Sequence, residues 1–192
     1  VDLGSTIIGG HGNTIACCAD TSGIFVGQDN TICGYENYYS AIVGGTNNLT
    51  AYGNGNSVIL GGENNCICDY SYNSMISAGC RNYICNSDRA SIIAGRCNTI
   101  CCFSEDATIM GGCHNVIDNS DRATVIGGGW NLICQNSDRS GIFAGSAHRI
   151  CSSSCHSTIT GGHCNKIYNN SECSSILGGN CNLQESAGNS II

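Results

Sequence analysis

The sequence predicts an all-β fold, a parallel β-solenoid of the β-roll kind with about eleven coils of ~17 residues. A glycine returns every sixteen to eighteen residues along the chain, and a β-branched residue stands three positions before it in every copy. β-branched residues suit a pleated strand and disfavour a helix, and so short a unit has no room for a strand–helix–strand crossover. The glycine positions are Gly10, Gly27, Gly45, Gly62, Gly79, Gly95, Gly112, Gly128, Gly145, Gly162 and Gly179.

The β-branched column is expected to line the interior of the coils. Because equivalent positions of parallel coils stack at ~4.8 Å, one residue from each coil adds to a continuous apolar ladder. This predicted core ladder comprises Ile7, Ile24, Ile42, Ile59, Ile76, Ile92, Ile109, Val125, Ile142, Ile159 and Ile176. A second apolar column follows each glycine by five residues, and Thr50 and Gln184 interrupt it beside Leu49 and Leu183. Each coil therefore reads as strand, glycine turn, strand and polar loop.

An asparagine stands three residues after the glycine in every coil but one, where His148 replaces it. Asparagine tolerates the left-handed backbone of a tight corner, and stacked amides can hydrogen-bond along the axis. We therefore expect an asparagine ladder at this corner. The glycine itself is expected where a side chain would collide with the neighbouring backbone.

The column two residues before the glycine is expected to point outward, because adjacent strand residues face opposite sides. Nine of its eleven members are large and apolar, and the next residue is small in every coil except at Val26. An apolar stripe along a whole rod is too large to stay hydrated. The predicted oligomer seam comprises Ile8, Phe25, Val43, Leu60, Ile93, Met110, Ile126, Phe143 and Leu177. The alternative is a wide single-chain coil that encloses both columns.

Composition limits the class of protein. The unbroken periodicity predicts a single solenoid domain over residues 1–192, and the start at Val1 and the end inside a repeat are typical of a fragment of a longer chain. Only 11% of residues are charged, the net charge is −7, and proline is absent. This charge argues against a nucleic-acid partner. No segment is long and apolar enough to cross a membrane, so no membrane contact by this segment is expected.

Seventeen cysteines are unusual for a chain of this length and typical of an oxidising location. We expect thiol or disulfide ladders, because stacking brings equivalent cysteines to roughly 5 Å, near the limit of disulfide reach. One group, six residues past the glycine, comprises Cys33, Cys68, Cys85, Cys101, Cys134 and Cys151; the other, just after the glycine, comprises Cys80, Cys97, Cys113, Cys164 and Cys181. The alternative is that many are small buried hydrophobes that stay reduced.

Other sites are weakly indicated. Zinc ligands could gather from Cys97, Cys101, Cys102, Cys113 and His114 on stacked coils, but the chain has no C-x-x-C pair, and we assign no metal and no cofactor. The segment from Cys151 to His156 is one residue longer than a haem-attachment motif and coincides with an ordinary loop. A threonine column typical of ice-binding surfaces is interrupted, for example at Gly23.

Catalysis is not predicted, because no deviation from the repeat clusters into a constellation of reactive groups. The acidic residues lie mainly in loops, where three Asn-Ser-Asp-Arg copies place Asp88, Asp121 and Asp138 at the same repeat position. We expect these aspartates and their arginines to form a surface ladder of ion pairs, each of which contributes little stability.

The run Ser-x-Ile-x-Gly-Gly-x-x-Asn-x-Ile, seen from Ser5 to Ile15 and followed by a serine-rich loop, resembles the head repeats of YadA-like trimeric autotransporter adhesins. It is also similar to the related repeats of phage and viral tail fibres, and the resemblance covers nearly the whole chain. The resemblance implies a left-handed parallel β-roll with three chains around a common axis. The unit here is a few residues longer than the adhesin repeat, and that family is poor in cysteine.

The predicted function is that of a structural surface fibre or adhesin-like rod, extracellular on a virion or cell, acting as rigid spacer and attachment surface. Its expected partners are itself, as a homotrimer, and a host-surface receptor or glycan. One alternative is a subunit of an end-to-end filament, because open solenoid ends present unpaired strand edges. Another is a cysteine-rich rod that carries metal ions or electrons.

Overall fold

The computed structural model describes residues 4–16 and 18–192. Within these residues the chain is all-β, without a helix, and it winds through eleven turns of a parallel solenoid, which confirms the predicted fold class and coil number. Each coil contributes one strand to each of two parallel sheets, so neighbours in a sheet come from successive coils.

Strands are numbered in chain order. The odd-numbered sheet contains β1 Thr6–Ile7, β3 Gly23–Ile24, β5 Ala41–Ile42, β7 Val58–Ile59, β9 Met75–Ile76, β11 Ser91–Ile92, β13 Thr108–Ile109, β15 Thr124–Val125, β17 Gly141–Ile142, β19 Thr158–Ile159 and β21 Ser175–Ile176. The even-numbered sheet contains β2 Thr14–Ile15, β4 Thr31–Cys33, β6 Leu49–Ala51, β8 Cys66–Cys68, β10 Tyr83–Cys85, β12 Thr99–Cys101, β14 Val116–Asp118, β16 Leu132–Cys134, β18 Arg149–Ile150, β20 Lys166–Tyr168 and β22 Leu183–Glu185. The residue after each anchor glycine forms a further parallel bridge, as Cys80 does with Arg96.

The core lies between the two sheets and is two isoleucines wide. Ten members of the predicted core ladder, from Ile24 to Ile176, have no exposed surface, whereas Ile7 in the edge strand β1 is 44% exposed. The isoleucines of the even-numbered strands join the same cluster. Full burial of one such side chain stabilises the fold by roughly 1.5–3 kcal/mol relative to exposure. The stacked columns therefore supply most of the apolar driving force.

Register is kept even where the second column is polar. Thr50 and Gln184 occupy the interior, with 0% and 4% exposure, and neighbouring Leu183 stays 54% exposed. A one-residue slip that buried the leucine would turn every other side chain of the strand to the wrong face. The Thr50 hydroxyl accepts a hydrogen bond from Asn37 Nδ2 at 3.3 Å, which offsets part of the cost of its burial.

The anchor glycines are required by close backbone approach, as expected. At Gly62 φ is +93°, and a Cβ there would lie 2.6 Å from Asn65 Nδ2 and 2.9 Å from the backbone nitrogen of Gly79 on the next coil. Only a residue without a side chain fits this position.

The asparagine column is buried and forms a ladder, but our reason for it was partly wrong. The left-handed residue of the corner is the one before the asparagine, for example His114 with φ 55°. Asn115 instead points its amide inward: Nδ2 donates to the carbonyl oxygens of Gly111 at 3.0 Å and Gly128 at 3.2 Å. The amide is selected because it satisfies backbone groups at a buried corner that the sheets do not reach.

Two serine-rich columns, which the sequence analysis placed in the polar loop, are buried. In the first, Ser104 Oγ donates to the carbonyl of Cys101 at 2.7 Å and accepts the N–H of Ser120 at 3.1 Å. In the second, Ser157 Oγ donates to the carbonyl of Ser171 at 2.7 Å and accepts the N–H of Ser174 at 3.2 Å. Small hydroxyls fill the narrow loop side of the coil and hydrogen-bond its backbone.

Candidate interaction surface and thiol face

The predicted seam residues lie on the outer face of the odd-numbered sheet. All nine are exposed in the chain, from 38% at Ile126 to 66% at Ile8. The alternative of a wide coil that encloses this column is therefore wrong: one chain buries the core ladder and leaves its neighbours outside. We call these nine residues the apolar stripe.

Glycines beside the apolar stripe are not explained by the chain's own packing. A Cβ added at Gly61, Gly111 or Gly127 would meet no atom within 4 Å, and none of the three has a left-handed φ. The same holds for Gly9, Gly161 and Gly178. Glycine loses more conformational freedom on folding than alanine, so six glycines with open space around them favour the close approach of another backbone.

Gaps in the predicted threonine column have a local reason. A Cβ at Gly23 would lie 3.7 Å from Phe25 Cε2, and one at Gly141 would lie 3.5 Å from Phe143 Cε2. Each phenylalanine ring thus lies over the glycine two residues earlier. A larger residue than glycine at these two positions would therefore contact the phenylalanine ring.

The first cysteine group lies on the outer face of the even-numbered sheet, which we call the thiol face. Cys68, Cys85 and Cys101 pair in register on consecutive coils, and Asp118 continues the column toward Cys134. Cys134 and Cys151 form a disulfide between adjacent coils with a Cα–Cα distance of 4.7 Å. The stacking therefore permits a covalent link along the axis, and it leaves three further thiols aligned.

The second cysteine group does not form one ladder. Cys80 and Cys113 are bridge positions, and Arg96 lies between them in register. Cys97 stands one residue further along its coil, in a left-handed conformation that Cys164 and Cys181 share. The prediction overlooked an offset that the spacing already contains: Cys80 and Cys113 follow their glycines by one residue, whereas Cys97, Cys164 and Cys181 follow theirs by two.

Two groups on the thiol face bring metal-ligating atoms together. They are Cys68, Asp69 and Cys85, and Cys101, Cys102 and Asp118, with the ligand atoms of each group within 4.8 Å of one another. Cys85 Sγ lies 3.4 Å from Asp69 Oδ2, and Cys101 Sγ lies 3.7 Å from Asp118 Oδ1.

The zinc candidates named from the sequence are only partly brought together. Of those five residues, only Cys101 and Cys102 belong to a group of metal-ligating atoms among the described residues. His114 instead stacks on Trp130, with ring centroids 4.1 Å apart. Asp118 was not predicted as a metal ligand, because a single aspartate within a column of cysteines looks like a break in the repeat.

The aligned thiols are shielded. Burial raises the pKa of Cys85 to about 12 and also raises the pKa of Cys101 above its ordinary range. The hydrogen bond with Cys66, and then burial, raise the pKa of the Cys68 thiol, whose Sγ donates to Tyr83 Oη at 2.9 Å. These three thiols are therefore protonated at neutral pH. Because thiol–disulfide exchange needs the thiolate, their exchange at neutral pH is slow.

The haem-like segment has no free first cysteine, because Cys151 is bonded to Cys134. Cys155 Sγ donates instead to the carbonyl of Asn136 at 3.1 Å. Both contacts fit the repeat's ordinary loop.

The predicted ladder of Asp–Arg pairs in the Asn-Ser-Asp-Arg copies is wrong. Asp121 Oδ1 accepts the N–H of Glu105 at 3.0 Å, and Asp138 Oδ1 accepts the N–H of Asp121 at 3.0 Å. Arg89 pairs instead with Asp106 at 2.6 Å and Glu105 at 3.0 Å on the next coil. Aspartates in these turns satisfy backbone N–H groups of the preceding coil, because a carboxylate accepts hydrogen bonds whereas a guanidinium only donates them.

No helix capable of crossing a membrane occurs in the part of the chain that the structure describes. Comparison with protein-family models finds none that matches this chain, and no curated protein matches it either.

Proposed function

We propose that this protein is a structural rod that assembles with copies of itself along the apolar stripe, as a homotrimer on the surface of a virion or cell. The observation that carries the proposal is a line of exposed apolar side chains flanked by glycines that the single chain does not need. A solvated stripe of this length is costly, and its burial between chains removes the cost.

The repeat geometry favours parallel copies around a common axis. Nine of the eleven coils contribute one stripe residue each, so rotation about an axis along the rod brings equivalent positions of all copies together at each of these levels. When a second chain covers the half-exposed side chains of the apolar stripe, each contributes about 1 kcal/mol to association. The total over the stripe is comparable to the cost of association, about 4–15 kcal/mol. Close backbone approach at the glycines adds dispersion contacts. Three chains, rather than two, is the number that the resemblance to trimeric adhesin repeats favours.

The proposed mechanism is rigidity. Backbone ladders, buried amides and buried hydroxyls link successive coils, and the Cys134–Cys151 disulfide adds a covalent link between two of them. A disulfide is typical of an oxidising, extracellular setting. Such a rod serves as a spacer, and repeated faces supply avidity for a receptor or glycan even when each contact is weak. Exposed aromatic residues on successive coils, including Tyr35, Tyr52 and Tyr70, offer such contacts.

The mass in solution tests this proposal. By light scattering we expect three chain masses for the wild type, and dissociation to one chain mass with retained β-type circular dichroism for Leu60→Asp and Ile126→Asp. Tyr35→Asp is the matched control, because Tyr35 is 76% exposed but lies off the stripe. A monomeric wild type, or an unchanged mass in both stripe variants, would reject the seam. A polymer of indefinite mass would favour the end-to-end filament.

A further inference from the structure

The geometry points to two binding sites for a zinc-type metal ion on the thiol face, one at Cys68, Asp69 and Cys85 and one at Cys101, Cys102 and Asp118. Each site combines two thiols and one carboxylate within 4.8 Å. This inference is independent of the proposed self-assembly, because the apolar stripe lies on the other sheet.

Both sites use the same three positions of the repeat. They are the third residue of an even-numbered strand, the residue after it, and the third residue of the next strand in the sheet. The carboxylate takes the second position at Asp69 and the third at Asp118, so the ligand set is the same although the order differs.

The same positions on the two coils that follow the second site show the arrangement without a third ligand. There Cys134 and Cys151 occupy the strand-register positions and are joined by a disulfide, and Gln135 follows Cys134. A neutral amide is a poor zinc ligand beside two thiolates, whereas a carboxylate is an accepted one. The presence of a carboxylate therefore distinguishes the two candidate ion sites from the Cys134–Cys151 disulfide.

The distances fit a tetrahedral ion. Zinc binds thiolate at about 2.3 Å and carboxylate oxygen at about 2.1 Å, so sulfur and oxygen ligands of one tetrahedral ion lie about 3.6 Å apart. The Sγ–Oδ distances are 3.4 Å at Cys85–Asp69 and 3.7 Å at Cys101–Asp118. Asp69 and Cys102 are exposed, which gives the ion access and leaves a fourth position for water.

The chemistry selects a soft divalent ion. Two thiolates disfavour magnesium and calcium, which prefer oxygen ligands, and favour zinc and its spectroscopic substitutes cobalt and cadmium. On binding, each cysteine thiol gives its proton to solvent and its sulfur donates to the ion. The strand positions of Cys68, Cys85 and Cys101 are fixed by the parallel ladder, so three of the ligands need little reorganisation.

Titration of the fully reduced chain with Co²⁺ in the absence of oxygen tests this inference. We expect two ions per chain, with thiolate-to-cobalt charge-transfer absorption and tetrahedral d–d bands, both lost when Zn²⁺ is added. Cys85→Ser and Cys102→Ser should each reduce the stoichiometry to one ion, and the double variant should bind none. Cys173→Ser, an exposed cysteine outside both sites, is the matched control and should bind two.

Two further variants keep the test decisive. Asp118→Asn keeps both thiols of its site and should weaken the Co²⁺ affinity of that site by at least about tenfold. If Asp118 only supported the packing of the cysteines, this affinity would not change. Cys134→Ser should still bind two ions, since that position lacks a third ligand. The absence of thiolate–cobalt bands in the reduced wild type, or equal binding by wild type, Cys85→Ser and Cys102→Ser, would overturn the inference.

Discussion

Asn115 Oδ1 accepts the backbone N–H of Asn131 at 3.1 Å, so one side chain at the corner bonds the backbone of the following coil. Its Nδ2 also donates to the carbonyls of Gly111 and Gly128. A single buried amide thus satisfies three backbone groups, two of them on the next coil. This connection explains why the corner repeats an asparagine when the sheets need only apolar residues.

Asn115→Ala should therefore destabilise the chain by about 3 kcal/mol, because it leaves the Asn131 N–H and the Gly111 carbonyl buried without partners and removes one of the two hydrogen bonds that the Gly128 carbonyl accepts. Chemical denaturation at fixed protein concentration measures the change. Asn180→Ala, at an exposed asparagine outside the corner column and without a left-handed φ, is the control, and we expect a change within about 0.5 kcal/mol. Equal losses for the two variants would show that the corner amide has no special role.

Adjacent glycines should respond differently to the same substitution. Gly62→Ala places a Cβ against the next coil in a left-handed backbone and should cost about 2–4 kcal/mol of folding stability. Gly61→Ala meets no atom of its own chain, so folding should be unaffected or slightly improved, while self-association weakens. Circular dichroism melts and sedimentation measure the two effects. Unchanged association in Gly61→Ala would argue against close backbone approach at the stripe.

His148 should make stability depend on pH. It is fully buried in the asparagine column, its Nδ1 accepts the N–H of Asn165 at 3.1 Å, and burial lowers its pKa below the ordinary 6.5. Above pH 6.5 the imidazole is neutral in both folded and unfolded chains, so it has no effect on the pH dependence. As the pH falls below this value, the unfolded chain takes up the proton first, so stability decreases until the folded pKa is reached.

The check is the melting temperature between about pH 8 and pH 5 for the wild type and for His148→Asn, which restores the usual residue of the column. The variant should lose less stability on acidification than the wild type. Parallel curves for the two proteins would mean that other groups determine the acid response.

The Cys134–Cys151 disulfide should stabilise the rod by about 3 kcal/mol, because it closes a loop of seventeen residues. Cys134→Ser should lower the melting temperature in oxidising buffer and remove the effect of added reductant. Cys155→Ser, at a cysteine that bonds only a backbone carbonyl, should behave as the wild type. A reductant effect that persists in Cys134→Ser would assign the stabilisation to another pair.

The sequence predicted the features that depend on apolar periodicity, because burial repeats with every coil. Ile109 and Met110 are adjacent, yet one is fully buried and the other 49% exposed, as strand alternation requires. The sequence did not predict the buried serine columns, because the segments around Ser104 and Ser157 have a composition typical of a solvated loop. The Arg96 position between Cys80 and Cys113 follows from the spacing, because each of the three stands one residue after its glycine. The amide-capping role of Asp121 depends on the course of the loop backbone, which residue spacing alone does not specify.

The variable spacing of the glycines has a consequence for how such a rod changes length. The unit from Gly79 to Gly95 has sixteen residues and that from Gly27 to Gly45 has eighteen, yet the strands on either side keep their register. Each unit is joined to its neighbours by the same two parallel ladders, so duplication or deletion of a whole unit lets the coils on either side pair in the same way. Reach can therefore evolve in steps of about 4.8 Å by in-frame gain or loss of one unit, without redesign of the rest.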